Sequence, residues 1–264
     1  MINLFKADFF RVIRTKIVYI SLIVAVALPL FMAGVYALTN VGLEPEQSEA
    51  MKYMYGDMLI SNTFSSLLSF SFVFAIFPVI VIIMDFGNGT MRDKIIHGYT
   101  RHQIYAVHFI ITWLYVLVMT ALYTLTTTAC AFLMFKVSDI DSSMVASYAF
   151  YYVIGFVGTL ITASLGCCLA LSLANAGSIV LTIVGKLLID NIYLLVALAF
   201  STRGGNNEKT ANHVLSFFPS YVTGLLGTTI IEPVMFVEAL GGILLISGAF
   251  YALGTFVFNI RDFK

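Results

Sequence analysis

The sequence predicts an all-α integral membrane protein with six spanning helices, and two observations carry that class. Of 264 residues, 60% are hydrophobic and 11% charged, with a mean hydropathy of +0.96. Several apolar runs exceed 18 residues, more apolar surface than a soluble core of this size can absorb. The polar residues are gathered between these runs. At about 20 residues per span, the runs place helices over residues 18–38, 62–84, 104–135, 144–173, 178–200 and 233–258. No internal repeat, low-complexity run or linker divides the chain, so residues 1–264 are read as one transmembrane domain.

Residues 1–17 repeat Phe5, Phe9, Val12 and Ile13 at helical spacing, with Lys6, Asp8, Arg11 and Arg14 mostly on other faces. This reads as an amphipathic entry helix on the inner membrane surface, with anionic lipid as its partner. The first run is too long, and too far from a small-residue cleavage site, for a signal peptide. The third run would measure about 48 Å at 1.5 Å per residue, so its end near residues 124–128 is expected to protrude on the outer side. In the fourth, Gly166, Ala170 and Ala174 recur every four residues, which permits close helix approach.

The fifth run contains Lys186, Asp190 and Asn191. Spacing of four puts Lys186 and Asp190 on one face within pairing distance, and a lone charge at mid-bilayer costs at least about 2.5–3.5 kcal/mol. The pair is read either as lining a translocation pathway or as a neutralised brace between helices. Within the outer loop 201–232, the apolar stretch 214–231 is interrupted by Pro219, Gly224 and Gly227. It is expected to form a short re-entrant or interfacial segment before the last span.

With the N-terminus inside, the inner segments hold nine basic residues (Lys6, Arg11, Arg14, Lys16, Arg92, Lys94, Arg101, Arg261, Lys264). The outer ones hold four (Lys52, Lys136, Arg203, Lys209) and the acidic Glu44, Glu46, Glu49 and Asp57. This bias predicts two cytoplasmic termini. A net charge of zero gives no support for nucleic acid as a partner. Cys130, Cys167 and Cys168 lie in apolar segments and read as packing residues. His97, His102, His108 and His213 form no cluster at metal spacing, and no Ser, His and Asp set offers a nucleophile, so neither a metal site nor a catalytic residue is expected.

The polar stretch 85–103, DFGNGTMRDKIIHGYTRHQ, has an internal logic. Asn88-Gly89 signals a turn, Thr90 can cap a helix, Met91, Ile95 and Ile96 give that helix an apolar side, and Gly98 ends it. The spacing describes a helix of about two turns carrying Arg92, Asp93 and Lys94, or an ordinary solvated loop. From Asn88 to Arg101, with Ile104-Tyr105 following, the stretch resembles the loop after the second span in type-2 ABC transporter permeases. That family's pattern is a carboxylate, a Gly-Thr turn, a short basic and apolar helix, then Gly, a hydroxyl residue and Arg.

In that family the loop is a coupling helix docked in a groove of a separate ATPase. The resemblance assigns that role to Asp85, Gly89, Thr90, Arg92, Gly98 and Arg101, with Lys94 on the same helix. The family often has Glu where this chain has Asp85. No G-x-x-x-x-G-K-[ST] phosphate loop is present, since Gly185-Lys186 lies within a span. The resemblance therefore implies a permease without enzyme activity, which binds no cofactor itself and relies on an ATPase subunit that holds ATP and Mg. It also implies a second permease copy, an inner or plasma membrane location, and export of an amphipathic or antimicrobial-type peptide. Lipid, drug or ion export, and a non-transporting sensor or immunity protein, are the alternatives.

Overall fold

The computed structural model describes residues 1–41, 45–137, 145–201, 213–224 and 233–261. Its residues are 91% helical with no strand, and six helices are long and apolar enough to cross a membrane. In chain order the elements are α1 (Ile2–Ile13), α2 (Lys16–Thr39), α3 (Pro45–Gly87), α4 (Thr90–Ile96), α5 (Arg101–Met134), α6 (Val145–Leu173), α7 (Gly177–Ser201), α8 (Pro219–Gly224) and α9 (Pro233–Ile260). The spanning windows lie in α2, α3, α5, α6, α7 and α9.

Five of these follow the apolar runs closely, whereas α3 begins some 17 residues before the run starting at 62. Its 43 residues span about 64 Å at 1.5 Å per residue, of which Phe70–Gly87 is the membrane-length part. The acidic stretch around Glu46 and Glu49 is helical because Pro45 stands at the first helical position and the following residues are good helix formers. That extension packs on the far ends of α2 and α5 through Leu59, Ala33, Ala131 and Phe135, with Tyr36 and Tyr55 stacked at 5.0 Å.

α5 and α6 form the centre. Nearly every turn of α5 is buried, and α2, α3 and α9 pack around the pair. Polar groups join the spans in the absence of water: Ser71 meets Thr162 at 2.9 Å, Thr124 meets Tyr152 at 2.9 Å, and Trp113 donates to Ser164 at 2.9 Å. Such bonds average about 0.6 kcal/mol each in membranes. The outer helices keep apolar surface on the outside, including Ile23 and Phe31 of α2, Leu188 and Leu195 of α7, and Leu245 and Phe256 of α9. A face of that size is suited to lipid.

Of the small-residue row in the fourth run, Gly166 packs on Val79 and Thr182 and Ala170 is fully buried. Ala174 instead stands just past the helix end at φ +50° and closes α6. The broken stretch near 214–231 yields one helical turn at 213–216 and then α8, which packs on α6 and α9. Gly227 lies outside the described residues, as do Glu44, Arg203, Lys209 and Lys264.

Three helix ends are tied together at one end of the bundle. Arg101 at the start of α5 donates to the carbonyls of Asn259 and Arg261 at 2.6 Å each, and Arg261 donates to those of Leu171 and Ser172 at 3.0 Å each. A cation at a helix C-terminus answers its unpaired carbonyls and its dipole. Thus the start of α5 and the ends of α6 and α9 lie together, on the same end as α1 and α4.

Candidate functional site

The segment 85–103 is a helix held between two turns. Gly89 takes φ +73° and Gly98 φ +85°, both left-handed conformations suited to glycine. The amide of Tyr99 reaches back to the Lys94 carbonyl at 3.2 Å and closes α4. Thr100 then starts α5 with a reciprocal capping box to Gln103. Thr90 does not serve as the cap. Gly89 holds the N-cap position, and the Thr90 hydroxyl donates to the Asp85 carbonyl at 2.8 Å, tying α4 to the last turn of α3.

The faces of α4 also differ from the apolar side that sequence spacing describes. Met91 and Lys94 are buried, Ile95 is half-buried, and Ile96 is 71% exposed beside exposed Arg92, Asp93 and His97. Lys94 turns inward because two carboxylates await it. Its ammonium donates to Asp8 at 2.8 Å and to His108 Nε2 at 2.9 Å, and lies 4.0 Å from Asp85. Arg11 bridges Asp85 and Asp8, the latter at 3.2 Å.

Asp8, Asp85, Lys94 and His108 are each less than 10% exposed. An ammonium has donors only, so His108 Nε2 accepts and its imidazole is neutral with the proton on Nδ1. Two cations then balance two carboxylates. Burial pulls Lys94 below the ordinary lysine range, and Asp8 and then Asp85 oppose that pull. Four elements, α1, α3, α4 and α5, meet in this cluster.

The seven loop residues therefore divide by direction. Asp85 and Lys94 face inward, Thr90 and Arg101 tie the loop to α3 and to the end of α9, and Gly89 and Gly98 set its turns. Arg92 faces solvent. Asp8, Arg11 and His108 escaped the sequence reading. The available signal was Asp8 itself, placed four residues from Leu4 and from Val12 in the buried stripe of α1, where a carboxylate needs a cation.

Lys186, 2% exposed, pairs with Asp190, whose other oxygen accepts from Ser220 of α8 at 2.9 Å. Asn191 does not join them; its amide donates to the Leu187 carbonyl one turn earlier at 2.7 Å. Beside the pair lies a cavity of about 10 Å³, bordered by Leu68, Gly158, Thr162 and Phe218. That is room for about one water. Within one chain, Lys186 and Asp190 thus form a compensated bridge from α7 to α8.

Compared with protein-family models and with curated proteins, the chain matches none.

Proposed function

We propose that this protein is the membrane-spanning permease subunit of an ATP-driven exporter of the type-2 ABC class, working with a separate ATPase subunit. The observation that carries the reading is α4. This two-turn helix is fixed between two spans by left-handed glycines, braced from behind by buried ion pairs, and presents Arg92, Asp93, Ile96 and His97 outward. A free loop would absorb a load applied at its tip, whereas a braced helix passes it to the spans on either side. Exposed Ile96 supplies an apolar anchor and Arg92 a charge that fixes orientation, the usual division of labour in a docking contact.

In this reading both termini are cytoplasmic and the ATPase binds ATP and Mg. Two permease copies rock between inward-closed and outward-open arrangements as the ATPase subunits close. The Lys186 and Asp190 bridge then faces the route between copies and opens to it as α8 shifts. A peptide of amphipathic character is the cargo that the resemblance to this class favours.

The first test is whether a neighbouring reading frame encodes an ABC ATPase, and the second is co-purification of that subunit with this chain. Arg92→Glu and Ile96→Asp should each weaken association about tenfold or more, and should uncouple ATP hydrolysis from peptide export. Undiminished association and export in both variants would refute the docking role.

A further inference from the structure

We infer that α1 and α4 are one mechanical unit, clasped by Asp8, Arg11, Lys94 and His108, so that Asp8, Arg11 and His108 are positioning residues and any displacement of α4 is carried into α1. The inference rests on the proposed docking role only for what displaces α4; the clasp itself stands on geometry. Lys94, on α4, reaches Asp8 on α1 at 2.8 Å, and Arg11, on α1, reaches Asp85 at the end of α3. Lys94 thus joins α4 directly to α1, and Arg11 ties α1 to the end of α3 from which α4 continues. Neither helix can leave without exposing a carboxylate of one and a cation of the other to an apolar surround.

His108 completes the arrangement by accepting the second hydrogen bond of Lys94 from the wall of α5. On α1, Leu4, Asp8 and Val12 face inward, while Ile2, Phe9, Phe10 and Ile13 stay exposed with Lys6, and exposed Arg14 and Lys16 follow at the turn into α2. Such an apolar face flanked by cations suits the interface of an anionic bilayer. Movement of α4 therefore reaches the lipid boundary through α1, in addition to α3 and α5, to which α4 is joined covalently.

The consequence can be read by hydrogen exchange of the full chain, purified in lipid nanodiscs, without any ATPase. Asp8→Asn and Lys94→Met should each speed amide exchange about tenfold or more in α1 and α4 alike, because breaking a buried pair strands its partner. The double variant should add little to either, as members of one contact are not additive. Faster exchange in α4 with α1 still protected, or fully additive effects, would overturn the clasp.

Should Lys94→Met loosen the whole bundle, as faster α5 and α6 exchange would reveal, His108→Leu tests the same link by withdrawing only the acceptor. Joint loosening of α1 and α4 supports the clasp, and loosening of α4 alone rejects it. His108→Gln, which keeps an acceptor, should restore protection in both. An ATPase that fails to bind ends the docking role and leaves this result untouched, while independent exchange of α1 ends the clasp and leaves docking untouched.

Discussion

Three ion-paired sites show how one kind of contact differs in weight with its surroundings. Lys186 is buried against Asp190, so Lys186→Met or Asp190→Leu alone should cost on the order of 3–5 kcal/mol, read as lost folding yield and a lower unfolding temperature in detergent. The double variant removes both charges and their desolvation, and should recover most of the yield. Under the proposed function, normal export by a double variant that recovers yield makes the pair only a brace, and poor export by one that folds and still binds an ATPase subunit makes the pair serve the route. Glu49 and Lys136 join the extension of α3 to the chain just after α5 at 2.7 Å, yet both are exposed. Lys136 holds Glu49 below the usual 4.5, so its contribution is present above about pH 4.5 and fades as pH falls below that. Solvent and salt screen it. Glu49→Gln should therefore shift unfolding far less than Asp190→Leu, and 1 M salt should remove the Glu49→Gln effect while leaving most of the other. The Asp8, Asp85, Lys94 and His108 cluster belongs with the buried case.

Among elements, close helix approach depends on glycines at particular contacts. A Cβ on Gly242 of α9 would run into the backbone carbonyl of Phe217, and one on Gly254 into the ring of fully buried Tyr105. Neither obstacle can swing aside. Gly242→Ala and Gly254→Ala should each destabilise by about 1–3 kcal/mol. Gly248, on the same helix, has open space around it, and Gly248→Ala should be neutral or raise the unfolding temperature slightly, since alanine is the better helix former. Equal loss at all three positions in a thermal scan would show that general helix effects, not these contacts, decide. The α4 element follows the same logic. Its brackets, Asn88-Gly89 and Gly98, were legible as turns because positive φ favours glycine, while its inward face was not, because lysine is ordinarily solvated and only its distant partners turn it in.

For the whole molecule, the contacts of Arg101 and Arg261 bring the start of α5 and the ends of α6 and α9 together, and in the orientation we propose from the nine-to-four basic bias that end faces the cytoplasm. Cysteines introduced at exposed Glu46 or Lys136 should react with an impermeant reagent added outside intact cells, and cysteines at Arg92 or His97 should react only after permeabilisation. External labelling at Arg92 would reverse the orientation and remove the docking reading with it.

Span number, the placement of the spans and the turns that bracket the segment between the second and third followed from the sequence itself, while its pattern left a two-turn helix and a solvated loop both open. Apolar length and glycine punctuation are local properties, and the bilayer thickness converts them directly into helices. Even the Lys186 and Asp190 pairing was readable, since residues four apart on a helix must meet. What only the tertiary structure decided were the contacts between residues 74 to 160 positions apart. These are Arg11 with Asp85, Lys94 with Asp8, and Arg101 with the end of α9; the contact of Ser220 with Asp190, 30 positions apart, is of the same kind. The extension of α3 over the far end of α5 belongs with them. Charge type says that a buried ion needs a partner, but nothing in helical periodicity says which helix will bring it; the packing of α1 and α4 against α5 does.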